Sequence, residues 1–68
     1  HGAEVDFIVE LDNEVIALEV KASSNIGKSD LTGLRSFAEY FKKKHRPLVA
    51  YLGNVTKAIE GIEISPWQ

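Results

Sequence analysis

The stretch that most constrains this chain is Val15-Ile16-Ala17-Leu18-Glu19-Val20-Lys21, an apolar run with an acid and a base near its end. Val, Ile and Leu at this density suit a strand better than a surface helix. Strand side chains alternate between faces, so Glu19 and Lys21 project from the same face. An apolar strand has no structural need for a Glu-x-Lys pair, which makes this one a candidate for chemistry.

The segment ahead of it sharpens the point. Glu4 to Leu11 places Val5, Phe7, Val9 and Leu11 on one face, with Glu4, Asp6, Ile8 and Glu10 on the other. Asp12-Asn13 is a turn signal, since both residues tolerate left-handed backbone. A two-residue hairpin loop there pairs Leu11 with Glu14. Counting back, Asp6 then falls opposite Glu19 and Glu4 opposite Lys21. A four-residue loop keeps these pairs, whereas a three-residue loop shifts the register and separates the acids. The even register is preferred because it gathers Val5, Phe7, Val9, Ile16, Leu18 and Val20 onto one apolar face.

Directly opposed carboxylates repel unless something offsets the repulsion. A divalent cation does so, and Mg²⁺ is usually held by one or two carboxylates plus waters and phosphate. Glu4, Glu10 and Glu14 read as ordinary outer-face charges. Asp6, Glu19 and Lys21 together read as a site.

The rest of the sequence bounds what such a site can belong to. Sixty-eight residues make one domain at most, and a chain this short buries only about 60% of its unfolded surface. There is no cysteine, which excludes disulfides and thiolate metal sites. At 44% hydrophobic and 26% charged, the composition is that of a folded domain rather than a disordered segment. No run approaches the roughly 20 apolar residues of a membrane helix, and no signal-peptide pattern opens the chain. Cytoplasmic location is the expectation, with no role for a membrane. A net charge of −2 gives no bulk attraction to nucleic acid. Any such contact must come from a local basic patch or a metal.

After Lys21 comes a small polar loop, Ala22 to Lys28. Ser29 is an N-cap candidate, and Asp30 sits where a helix start favours an anion. Leu31, Leu34, Ala38 and Phe41, with Phe37 beside them, predict an amphipathic helix running to about Lys44. Lys42, Lys43, Lys44, His45 and Arg46 read as cations complementing the helix end, and Pro47 closes it. Leu48 to Leu52 reads as a third strand, parallel to Val15–Lys21 because a helix connects them. Val55 to Gly61 reads as loop with at most one helical turn, and Ile62-Glu63-Ile64 as a last short strand. Trp67 is expected to pack back on the body, and Tyr40 and Tyr51 to sit at the core edge.

The loop also fits a relaxed phosphate-loop pattern, with Ala22 in place of the first Gly and Lys28-Ser29 at its end. Against it, the strand feeding the loop carries Glu19 and Lys21, no later strand ends in an acid that could hold Mg²⁺, and the chain lacks the other elements of a nucleotide-binding domain. Ser23, Ser24 and Lys28 remain candidates for contact with a nucleic-acid phosphate.

Asp6, a hairpin turn and then Glu19-Val20-Lys21 resemble the catalytic signature of the PD-(D/E)xK nuclease superfamily, with Val5 where a Pro is common. Gly2-Ala3-Glu4-Val5-Asp6-Phe7, Glu19-Val20-Lys21-Ala22-Ser23-Ser24, Lys28-Ser29-Asp30-Leu31, Gly33-Leu34-Arg35 and Pro66-Trp67-Gln68 resemble the C-terminal domain of prokaryotic AAA-superfamily ATPases. The resemblance implies an α/β, restriction-endonuclease-like core fragment from the C-terminal part of a longer protein. It implies Mg²⁺ or Mn²⁺ held by Asp6, Glu19 and the Val20 carbonyl, with Lys21 as the third catalytic residue, acting on DNA phosphodiesters. It equally admits a non-catalytic module that docks the ATPase onto DNA or protein. The superfamily's core opens with a helix and a strand ahead of the Asp6 strand. Without them the Val5–Leu11 strand is an open sheet edge, and a homo-oligomer is the expectation.

Overall fold

The Asp12-Asn13 turn closes a hairpin between β1 (Phe7–Leu11) and β2 (Glu14–Lys21) in the expected register, with Leu11 opposite Glu14 and Phe7 opposite Leu18. In the computed structural model, which describes residues 5–67, the chain then passes through a 3-10 turn (Lys28–Leu31) into one helix, α1 (Thr32–Tyr40). It returns as β3 (Arg46–Tyr51), parallel to β2, with Glu19 beside Val49 and Lys21 beside Tyr51. β4 (Lys57–Ile59) and β5 (Ile62–Pro66) complete a single five-stranded sheet in the order β1-β2-β3-β5-β4. β5 is parallel to β3 and antiparallel to β4. The fold is mixed α/β, one sheet carrying one helix.

The helix covers the face that carries Glu19 and Lys21. Leu31, Leu34 and Phe37 pack with Ala17, Val49, Tyr51, Ile62, Ile64 and the loop residue Ile26 in the single core cluster. Every buried strand residue lies on this face. The apolar face expected from the hairpin alone is the other one. There Phe7 and Leu11 are more than half exposed and no residue is buried. The distant strand decides between the faces. β5 alternates Ile62 and Ile64 with Glu63 and Ser65, and pairing Ile64 with Val49 commits the apolar side of β5 to the Ala17 side of β2.

Two expectations for the connecting segments are corrected. The helix ends at Tyr40, four residues before Lys44, because Phe41 turns to extended backbone (φ −92°, ψ 97°). Phe41 then stacks on Phe37 with ring centroids 5.0 Å apart, and His45 stands edge-on to both rings. This cluster, together with the like charges of Lys42–Lys44, outweighs continuation of the helix. Lys42 to His45 therefore form a linker, Arg46 opens β3, and the last helical turn holds no cation. Val55–Gly61 is not a loop with a helical turn. It contains β4 and the Glu60-Gly61 turn, where both residues have positive φ (53° and 83°), the backbone that a tight two-residue hairpin requires. Tyr51 lies in the core, and its hydroxyl donates to the Val55 carbonyl at 2.6 Å. Trp67 docks through its backbone N–H, 2.7 Å from the Tyr51 carbonyl, while its side chain stays 59% exposed.

Gly53 is set by Tyr51. A Cβ at position 53 would fall inside the van der Waals surface of the Tyr51 ring, which is buried and cannot swing away. Overpacking of this kind costs about 1–3 kcal/mol. Gly53→Ala is expected to lower the urea midpoint with an unchanged m-value, whereas Gly27→Ala, which meets open space, should shift it by less than about 1 kcal/mol.

Candidate functional site

Glu19 and Lys21 sit at the C-terminal end of β2, two residues apart and therefore on one face. Lys21 Nζ lies 3.0 Å from Glu19 Oε2, with side chains 30% and 15% exposed. The Glu19 hydrogen bond, reinforced by the charges of Glu19, Asp30 and Asp6, holds the Lys21 ammonium above its ordinary pKa against a smaller opposing effect of burial. A raised lysine pKa keeps the pair intact below the ordinary value near 10.5 and releases it only as pH climbs through the folded value. The other carboxylate oxygen, Glu19 Oε1, is buried without a hydrogen-bond partner. An unpartnered buried carboxylate oxygen is costly, and its neighbours explain why it persists. Glu19 stands beside Val49 in the ladder, at the margin of the core, where the packing that shields it was built for apolar groups.

Asp6 is brought to the same strand end by a different contact from the one expected. The β1–β2 ladder stops at Phe7 and Leu18. Asp6 lies one residue beyond it in a bend, and its Oδ2 accepts the Val20 N–H at 2.8 Å. It thereby ties the entrance of β1 to the chemical end of β2. The expected pairing of Glu4 with Lys21 lies outside the described residues. Val20, whose carbonyl the resemblance offers as a ligand, is tied to Asp6 through its N–H.

Asp6, Glu19 and Lys21 share an open hollow of about 770 Å³ with Ser29, Asp30 and Thr32 from the start of the helical segment. Asp30 is held there by an N-terminal cap. Its Oδ2 accepts the Gly27 N–H at 2.9 Å while its own N–H donates to the Gly27 carbonyl at 3.0 Å. Gly27, not Ser29, is thus the capping residue. Three carboxylates against one ammonium make this hollow net acidic, a setting that favours a cation.

The loop candidates do not line it. The Ser23 hydroxyl is engaged with Asn25, donating to its carbonyl at 2.9 Å and accepting its N–H at 3.1 Å. Ser24 is exposed. Lys28 Nζ lies 3.4 Å from Glu60, which also pairs with Arg35. Lys44, His45 and Arg46 line a separate hollow of about 800 Å³ with Asp12 and Glu14, at the opposite end of β2. That hollow lacks the Glu-x-Lys pair. Sequence reasoning placed Asp30 at a helix start but not beside Lys21, because a contact across the sheet and helix leaves no local spacing signal. The same holds for Ser29.

The donor set fits Mg²⁺ or Mn²⁺ in its chemistry. Glu19 offers a buried oxygen without a partner, Asp6 stands at the same strand end, and a hard cation of this size needs only one or two carboxylates with waters completing the shell. Among the described residues no group of three or more His, Cys, Asp or Glu side chains is placed to hold a metal ion by itself.

Asp6 carries a structural role that can be separated from metal binding. Asp6→Ala removes the acceptor of the Val20 N–H and should cost about 1 kcal/mol in urea denaturation. Asp6→Asn keeps an acceptor oxygen and should recover most of that loss. Equal destabilisation by both variants would show that the hydrogen bond is not what Asp6 contributes.

No curated protein and no solved structure matches the chain. Among the described residues no helix is long and apolar enough to cross a membrane. A family model, described as a domain of unknown function (DUF4143), matches residues 1–68. With the match running over its whole length, the chain belongs to the DUF4143 family.

Proposed function

We propose that this chain is a restriction-endonuclease-like domain of the PD-(D/E)xK type, appended to an AAA-type ATPase and acting on DNA phosphodiesters with Mg²⁺ or Mn²⁺. The observation that carries the reading is the Glu19–Lys21 pair on one face of β2, with a buried unpartnered Glu19 oxygen and Asp6 tethered to the same strand end. Asp6 and Glu19 would hold the metal. A bound cation of this kind polarises a phosphate and lowers the pKa of the attacking water. Lys21 orients that water or stabilises charge developing on phosphorus. Asp30 keeps the hollow acidic, so a phosphodiester is repelled until a cation offsets the carboxylates. Ser23, Ser24 and Lys28 would contact the nucleic acid away from the hollow, with Lys28 leaving Glu60 to do so.

A second reading has its own observation. The uncovered apolar face of the sheet suits a module whose work is docking, in which case the site residues serve only the fold. Calorimetry separates the two. Mn²⁺ should bind weakly to the wild type, and Glu19→Ala should abolish the heat while leaving the circular dichroism spectrum unchanged. Identical titrations would leave the docking module standing.

The phosphate-loop pattern makes an opposite forecast. ATP is expected not to bind, and Lys28→Ala should leave metal binding intact, because Lys28 is paired with Glu60 outside the hollow. Micromolar ATP affinity that disappears in Lys28→Ala would move the chemistry to the loop.

A further inference from the structure

The face of the sheet opposite α1 presents Phe7, Val9, Ile16, Leu18, Val20 and Leu48 in adjacent rows of the ladder. None of these residues is buried, and Phe7 is 56% exposed. Beneath this face run β2, β3 and β5, which are mutually parallel. A contiguous apolar surface of this kind marks an interaction site. We infer that this face is the interface of a homodimer in which two copies pack sheet against sheet.

Three observations select a second copy. The first is the border of the patch. Arg46 Nη2 lies 2.7 Å from Glu63 and Arg46 Nη1 lies 3.8 Å from Glu14, and the ladder places all three on the open face. A border holding both signs is self-complementary, so a two-fold rotation can set the acids of one copy near the base of the other. The second is size. The molecule measures 30 × 27 Å along its longer axes, which bounds a face on the order of 800 Å², the share each partner brings to a standard interface. The third is the failure of the alternative, pairing through the free edge of β1. An antiparallel β1–β1 ladder centred on Val9 sets Asp6 against Asp12. One centred on Ile8 sets Asp6 against Glu10, and one centred on Glu10 opposes that residue to itself. Each of these registers aligns like charges, which is destabilising. Face packing buries the apolar rows, whereas in β1 the acids Asp6 and Glu10 belong to the other side of the strand.

The test uses the 68-residue chain and exploits its lack of cysteine. Sedimentation equilibrium at tens of micromolar should give a dimer. Leu18→Cys, at the centre of the patch, should form a covalent dimer under mild oxidation, whereas Glu10→Cys at the edge should not. Leu18→Glu should weaken dimerisation by about 30-fold or more, the effect of a central interface residue. Should that variant fail to fold, the cysteine pair still decides. Two results overturn the inference. One is cross-linking through Glu10→Cys and not Leu18→Cys, which assigns the contact to the edge. The other is a cooperatively folded monomer whose Leu18→Cys thiol reacts freely, which leaves the face to another chain or segment. Neither depends on metal, so the dimer and the nuclease reading can fail separately.

Discussion

The parallel pairing of β2 with β3 is the constraint on which everything else rests. It spans Ile16 to Lys21 on one strand and Arg46 to Tyr51 on the other. A parallel pair cannot be closed by a tight turn, so the chain must leave the sheet after Lys21, cross it and come back. That journey creates α1 and puts the start of the helical segment over the end of β2. Asp30, Ser29 and Thr32 reach Glu19 and Lys21 for this reason alone.

The site is a consequence of that cover being short. α1 has nine residues, about 13 Å of helix at the usual rise, and cannot roof a sheet of five strands. Its apolar residues close over Ala17, Val49 and Ile64. Toward the end of β2 and the entrance of β1 the roof gives way to a hollow. Glu19 stands on that boundary, shielded enough to bury one oxygen and open enough to reach Lys21 with the other. A carboxylate deeper in the core would be neutralised or expelled, and one further out would be ordinary surface charge. The same margin makes the hollow acidic without making it a closed cage.

Asp6 illustrates how one side chain can satisfy two demands. It ends β1 and accepts the Val20 N–H, a group that would otherwise lie unpaired where the hairpin ladder stops. An Asp is short enough to make that bond and charged enough to matter to Lys21, whose pKa it helps to raise. The fold and the candidate chemistry therefore draw on the same residue, which is why they must be separated by Asn and Ala variants rather than by Ala alone.

Local pattern was sufficient for the hairpin, for the register that sets Leu11 opposite Glu14, for the parallel return of β3 and for the shared face of Glu19 and Lys21. Each of these follows from the two-residue period of a strand or from a turn signal within a few residues. The choice of sheet face was not legible, because β2 is apolar on both sides and the hairpin on its own favours the side with Phe7 and Val9. Ile62 and Ile64, more than forty positions away in the chain, settle it by pairing with β3. The early end of α1 and the existence of β4 were equally hidden, since one depends on Phe37, Phe41 and His45 meeting in space and the other on β5 as a template. Sequence by itself determined β1, β2, β3 and β5 and the acid–base pair that β2 carries. Tertiary structure alone decided which face is core, which is left open, and which side chains surround Glu19, because those outcomes depend on contacts between segments that no local period encodes.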